Sequence, residues 1–299
     1  RLAELGEKHS EIVVLDADLS CSTKTGIFAK KYPERFFNVG VAEQDLMGTA
    51  AGLAHSGHTV FTSTFTMFAT GRAWEIVRQS ICYPNLNVKI CSTHAGITVG
   101  EDGASHQAIE DIALMRVIPG MKVLVPADGY QTIAMMDFMV NDNGPTFMRL
   151  GRANTQDIYK SDYKFKLGKG DILCEGKTVC LFATGFLTKP TLDAAELLKQ
   201  KGISATVVNL ASIKPIDVDL IVQMAGAHQI LFSVEEHSVV AGFGSAIAEV
   251  LTEHCPKRLY RLGMQDEFGQ SGSHPELLKH YMLDAEGIAE SVVRKMEAV

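Results

Sequence analysis

The sequence predicts an α/β fold in two domains, each a mainly parallel sheet flanked by helices. Three observations carry the prediction. Runs of continuous rather than alternating apolarity, such as Ile12-Val-Val-Leu15, are the texture of strands covered on both faces. Such runs alternate with helical stretches through both halves of the chain. Between the halves, from Leu150 to Gly170, the texture changes to Gly151-Arg-Ala-Asn and then a charged run containing Lys and Tyr, which reads as a connector. The expected boundaries are 1–155 for the first domain, 156–170 for the linker and 171–299 for the second domain.

In chain order, Leu2 to His9 reads as the back half of a helix and Glu11 to Leu15 as a strand ended by Asp16-Ala-Asp18. Ser20 to Lys31 is polar loop and short helix. Phe36 to Val39 is a strand, followed by a helix from Ala42 to about His55 and a strand at Thr59 to Phe61. Apolar residues at helical spacing (Phe65, Phe68, Trp74, Val77, Ile81) predict one long helix from Thr64 to Tyr83. Val88 to Cys91 is a strand and Ser92 to Gln107 a loop rich in Gly, Ser and His. Ala108 to Val117 is helical, and Lys122 to Val125 is a strand stopped by Pro126. Asp128 is the expected N-cap of a helix reaching Val140. Thr146 to Arg149 is the last strand of this domain. In the second domain the expected strands are Thr178 to Phe182, Ala205 to Asn209 and Ile230 to Val234. The expected helices are Thr191 to Lys201, Val218 to Ala225, Gly244 to Glu253 and Gly287 to Glu297.

Composition narrows the function. The 299 residues are 46% hydrophobic and 21% charged, enough apolar material for a packed core. The net charge of −7 and the lack of any basic run argue against nucleic acid and anionic membrane as partners. Six cysteines form neither a CxxC pair nor a zinc-ligand spacing, so they read as free thiols of a reducing cytoplasm. No apolar run is long enough to span a bilayer. The chain opens at Arg1 inside a helical stretch, and its natural N-terminus is expected upstream.

Sites in open parallel sheets lie beyond the carboxyl ends of the strands. Four stretches of the first domain qualify: Asp16 to Ser22, Asn38 to Glu43, Ser63 to Arg72 and Ser92 to Gln107. The last places His94, His106, Glu101 and Asp102 in one glycine-rich loop, a set able to hold a polar substrate and move protons near neutrality. Taken alone, Glu43 is also explained as a first-turn acid favoured by the helix dipole, and Phe65 and Phe68 as core packing on one helix face.

Order and spacing add a resemblance. Val39-Gly-Val-Ala-Glu43-Gln, then Ser63-Thr-Phe-Thr-Met-Phe-Ala-Thr-Gly-Arg72, then Thr93-His-Ala-Gly-(x3)-Gly-Glu-Asp-Gly-(x2)-His-Gln107 resemble the pyrimidine-binding domain of the transketolase family. Ser233-Val-Glu-Glu-His237 with Ala241-Gly-Phe-Gly244 resembles that family's C-terminal domain. The resemblance spans essentially the whole chain. It implies thiamine diphosphate as cofactor and catalytic roles for Glu43 and His106. Glu43 would hydrogen-bond a ring nitrogen of the aminopyrimidine and so activate the cofactor, a task helped by burial that raises its pKa. Phe65 would stack on the aminopyrimidine and Phe68 line the same pocket, with Asp18 near the thiazolium side. The position of a third family aromatic is Gly71 here. His106, His94 and Asp102 would contact the substrate chain, and Ser22 and Arg152 its phosphate. Arg149 is a further phosphate candidate, because the related deoxyxylulose-phosphate synthase carries an Arg there. Ser22 and Arg152 apart, a family phosphate contact upstream of the first strand has no assignment in this chain.

The family's Gly-Asp-Gly diphosphate and metal signature is missing from the sequence. The resemblance therefore implies the C-terminal subunit of a split enzyme, two copies pairing with two of an N-terminal subunit that holds the diphosphate and its magnesium or calcium. No metal ligand is assigned to this chain. Alternatives are a deoxyxylulose-phosphate synthase-like subunit, a 2-oxo-acid dehydrogenase beta-like subunit, and a regulatory scaffold without activity. The two-histidine loop favours sugar phosphates over oxo acids. Glu235, Glu236 and His237 read as a solvated or interface cluster, and Gly242-Phe-Gly244 as helix-sheet packing.

Overall fold

Strands that are apolar on both faces can only sit inside a layered structure, and the computed structural model, which describes residues 1–298, places them there. The first half runs α1 (Leu2–Lys8), β1 (Ile12–Asp16), α2 (Ser20–Thr23), α3 (Gly26–Lys31), β2 (Phe36–Asn38), α4 (Glu43–His55) and β3 (Thr59–Ser63). Two π-helical segments, Phe68–Arg72 and Val77–Cys82, then flank the short α5 (Trp74–Ile76). They are followed by β4 (Val88–Ser92), α6 (Asp111–Arg116), β5 (Lys122–Leu124), α7 (Gly129–Asn141) and β6 (Thr146–Arg149). The second half comprises β7 (Asp171–Cys174), β8 (Val179–Ala183), α8 (Thr188–Gln200), β9 (Ala205–Asn209), β10 (Ser212–Lys214) and α9 (Val218–Ala227). It ends with β11 (Ile230–Ser238), α10 (Phe243–His254), β12 (Leu259–Met264), α11 (His274–His280) and α12 (Ala285–Glu297).

Two sheets result. The first has the order β10-β5-β6-β4-β3-β1-β2 and the second β12-β11-β8-β9-β7. Every pairing is parallel except β10 with β5 and β7 with β9, both at sheet edges. Asp128 caps α7 by accepting from Gln131 N, as expected. The single helix expected from Thr64 to Tyr83 is instead broken by π turns, which widen the backbone hydrogen-bond ring. β11 runs to Ser238 rather than stopping at Val234.

The halves do not meet as separate bodies. β10 crosses over to pair with β5 of the first sheet. One apolar cluster runs from Leu15, Leu46 and Ile90 through Val123 and Val125 to Phe182, Leu210 and Phe243. The connector is also pinned. Asp128 Oδ2 accepts from the backbone N–H groups of Ile158 and Tyr159 at 2.7 Å each. The Tyr159 and Tyr163 hydroxyls donate to Asp171 at 2.7 and 2.8 Å.

Candidate active site

Four strands of the first sheet, β1 to β4, each deliver a piece of the candidate site from the carboxyl end. After β1, the buried Asp16 carboxylate accepts from Leu19 N at 2.6 Å and from the Thr23 and Thr25 hydroxyls at 2.8 Å each. This fastens the turn that presents Ser22 and Lys24. After β2, Asn38 Oδ1 accepts from the backbone N–H groups of Asp18 and Gly40, and Asn38 Nδ2 donates to Asp18 Oδ1, all at 3.0 Å. Gly40 has φ +76°, the left-handed turn into α4 that a side chain would strain. Glu43 is the first residue of that helix and is only 2% exposed.

After β3, Phe65 bridges to Thr93, so the exits of β3 and β4 are locked together. The rings there form one cluster. His94 lies flat on Phe65 with centroids 3.8 Å apart, and Phe68 is stacked 6.5 Å from Phe65. His106 meets Phe68 edge-on at 5.4 Å and Phe65 at 6.2 Å. His94 Nδ1 shares a 2.9 Å hydrogen bond with the Thr93 hydroxyl, and His106 Nδ1 one of 2.9 Å with Ser105. Burial pushes the His94 imidazole down to about 4, helped by the positive charge of Arg152, so it is neutral at physiological pH.

A cleft of about 840 Å³ opens beside this cluster, between the two halves. It brings together Ser22, Phe65, His94, Asp102 and Arg152 with the end of Arg149. Gly185, Phe186 and Glu236 close it from the second half. Arg152 is half-exposed and pairs with Glu101 at 3.1 Å. Glu43, Phe68, His106 and Asp18 are not in the cleft lining. Phe68 and His106 join it through their contacts with Phe65, whereas Asp18 is exposed and engaged with Asn38.

Arg149 requires a correction. It is buried, and its guanidinium is already spent on Asp111 at 2.8 Å, Glu236 Oε1 at 3.4 Å and the Glu236 carbonyl at 3.0 Å. A cation so committed ties the halves together and is not free for a substrate phosphate. The triplet Glu235, Glu236 and His237 is likewise not solvated: all three side chains are buried. Glu236 accepts from Thr98 N and Oγ1 at 3.2 and 2.8 Å. Glu235 accepts from Phe243 N and Gly244 N at the start of α10, at 2.7 and 2.8 Å, while burial pushes its carboxyl up to about 8. Gly244 is required there, since a Cβ would come within 2.3 Å of Ser233 Oγ.

Two residues of the site carry little signal in the sequence. Lys24 lines the cleft from a left-handed position at φ +66°. Arg72 Nη1 donates to Glu43 Oε2 at 2.7 Å, and its guanidinium lies 4.7 Å from the Phe68 ring centre. The only trace of Arg72 in the sequence is that it ends the Ser63 to Arg72 motif.

Among the described residues no cluster of three or more His, Cys, Asp or Glu side chains could hold a metal ion. No helix among them is long and apolar enough to cross a membrane. A buried carboxyl connected to a ring cluster does fit the aminopyrimidine half of a thiamine cofactor.

Two family profiles match the chain: "Transketolase, pyrimidine binding domain" over residues 1–157 and "Transketolase, C-terminal domain" over residues 168–288. A Methanocaldococcus jannaschii protein provisionally named a transketolase C-terminal section is 50% identical, covering 99% of this chain and 94% of its own. One of the subunits of an apulose-4-phosphate transketolase from Phocaeicola vulgatus is 37% identical, covering 98% and 94%. A solved structure described as a split-gene transketolase in an inactive β4 tetramer is 51% identical, with a TM-score of 0.91 over 98% of this chain and 94% of that one.

Proposed function

This chain belongs to the transketolase family, and from that premise we propose that it is the C-terminal subunit of a split, thiamine-diphosphate-dependent transketolase. It would move a two-carbon ketol unit from a ketose phosphate to an aldose phosphate. An N-terminal subunit would supply the diphosphate site with its magnesium or calcium ion, two copies of each chain forming the enzyme. The observation that carries this is the Glu43 carboxyl, buried at a strand-to-helix junction and linked through Arg72 to the aromatic cluster beside the cleft. Dependence on a second chain is supported by the relatives of similar length, one named as a C-terminal section and one as a transketolase subunit, and by the structure described as an inactive β4 tetramer.

Bound thiamine diphosphate would supply the electron sink that lets a sugar carbon–carbon bond break and re-form. The chain's own residues do the rest. Glu43 holds a proton at its carboxyl for a ring nitrogen of the aminopyrimidine. Phe65 and Phe68 give that ring its apolar wall. His106, beside both rings, exchanges a proton with the substrate oxygen nearest the reacting carbon. His94, neutral by burial, recognises the sugar chain through hydrogen bonds rather than charge. Asp102 accepts from a sugar hydroxyl. Ser22 and Arg152 hold the terminal phosphate, Arg152 through its planar fork of donors. Asp18 would reach the thiazolium side only by leaving Asn38.

The test is reconstitution. The chain mixed with its N-terminal subunit, thiamine diphosphate and magnesium turns over xylulose 5-phosphate with ribose 5-phosphate, and the chain alone does not. Robust activity from this chain alone overturns the split-subunit assignment. Glu43→Gln abolishes turnover in the mixture while circular dichroism stays that of the parent; near-normal turnover removes Glu43 from its role.

A further inference from the structure

The cleft and the aromatic cluster leave one strong contact unexplained. Arg72 occupies the carboxyl that the cofactor would need. Its Nη1 donates to Glu43 Oε2 at 2.7 Å, and its guanidinium lies 4.7 Å from the centre of the Phe68 ring. Thus one side chain engages both the acid and one of the two aromatic walls assigned to the aminopyrimidine.

We propose that Arg72 is a gate on Glu43: it closes the aminopyrimidine seat in the subunit on its own and leaves when the cofactor is loaded. This rests on the role of Glu43 in the function proposed above. The chemistry makes the two occupants exclusive. An aminopyrimidine ring nitrogen is an acceptor, so it needs a proton on the carboxyl. A guanidinium offers five N–H donors and no acceptor. Its N–H on Oε2 fills the position that a proton shared with the ring nitrogen would take. Arg72 must therefore release Glu43 before Glu43 can act on the cofactor.

The local structure permits the motion. Glu43 is 2% exposed but the Arg72 side chain is 50% exposed, so the gate opens from the solvent side without disturbing the core. Arg72 ends a π turn, a backbone irregularity that often marks functional positions. The residue before it is glycine, and a Cβ there would meet only Met67 Sδ at 3.6 Å. The space that a third aromatic would fill is thus left open beside Arg72. The gate also spares the lone subunit an unpaired buried carboxylate, which is costly.

The experiment uses the full chain and the probe 4-amino-5-hydroxymethyl-2-methylpyrimidine, which carries the cofactor's ring without its diphosphate. Binding is followed by NMR titration into the millimolar range for the parent, R72M, R72K and E43Q/R72M, with thermal melts to verify folding. R72M binds the probe at least about tenfold tighter than the parent, the scale of one charge-assisted hydrogen bond. R72K, which keeps a cationic donor, stays near the parent and controls for packing. E43Q/R72M loses the gain. R72M binding no tighter than the parent, or not at all, overturns the gate. Turnover by the complete two-subunit enzyme separates this from the underlying role: if E43Q is dead there, Glu43 keeps its assignment and only the gate falls. If E43Q is active, both fall.

Discussion

Replacing Arg149 by methionine separates a structural cation from a substrate ligand. The guanidinium is the only positive charge between Asp111 and Glu236 among the described residues, both acids being essentially inaccessible, and it also donates to the Glu236 carbonyl. Methionine fills similar volume but leaves two buried carboxyls without their counter-charge. Removing one partner of a buried pair costs roughly 3–5 kcal/mol. Glu236 keeps its two bonds from Thr98, and burial already pushes its pKa upward, so it can take up a proton instead of remaining charged. The expected loss is therefore at the low end, about 3 kcal/mol, a large share of a typical total of about 5–15 kcal/mol. Urea unfolding followed by circular dichroism at pH 8 measures it. At pH 5 the deficit shrinks, because protonation removes the uncompensated charge. A loss below about 1 kcal/mol, together with a raised KM for the sugar phosphate in the reconstituted enzyme, would refute the assignment and return Arg149 to the phosphate.

Two further outcomes follow from the site. His94 binds its proton less readily in the folded chain, at about 4, than in the unfolded one, at its ordinary 6.5. Between those values the unfolded state holds more protons, so stability is full above pH 6.5 and falls on acidification by up to about 3 kcal/mol near pH 4. Urea midpoints across that range show this slope in the parent and not in H94N, an exchange suited to the left-handed backbone at φ +60°; an unchanged slope in H94N would assign it to other groups. Asp16→Ala removes the acceptor of Leu19 N and two threonine hydroxyls. It should cost about 1–3 kcal/mol and raise the KM for the phosphorylated sugar in the reconstituted enzyme, since Ser22 loses its support; an unaltered KM would detach Ser22 from substrate.

Legibility followed the range of each interaction. β9 falls at Ala205–Asn209, as its apolar run indicates, because a strand buried on both faces announces itself locally. β10 has three residues and exists because a distant strand offers its edge, which no local pattern carries. In the stretch from Thr64 to Tyr83, Val77 and Ile81 enter the core while Phe65 and Phe68 stand in the ring cluster of the site, and the change in hydrogen-bond ring size between them leaves no mark in the sequence. Glu43 is legible through the motifs around it. Its partner Arg72 is not, since their meeting depends on how α4 packs against the π turn. Arg149 misleads for the same reason. An arginine after a strand suggests an anion, and only the arrival of Asp111 and Glu236 from two other elements shows that the anions are the protein's own.

The crossover of β10 has a mechanical consequence. The edge of the pyrimidine-binding sheet is completed by chain that lies beyond the connector, and the same border carries a shared apolar core and the Arg149 ion cluster. A hinge needs a seam across which few bonds run, and this border is densely bonded. The two halves therefore act as a single lever arm rather than a pair of jaws. The cleft between them keeps a fixed width, set by the fold itself.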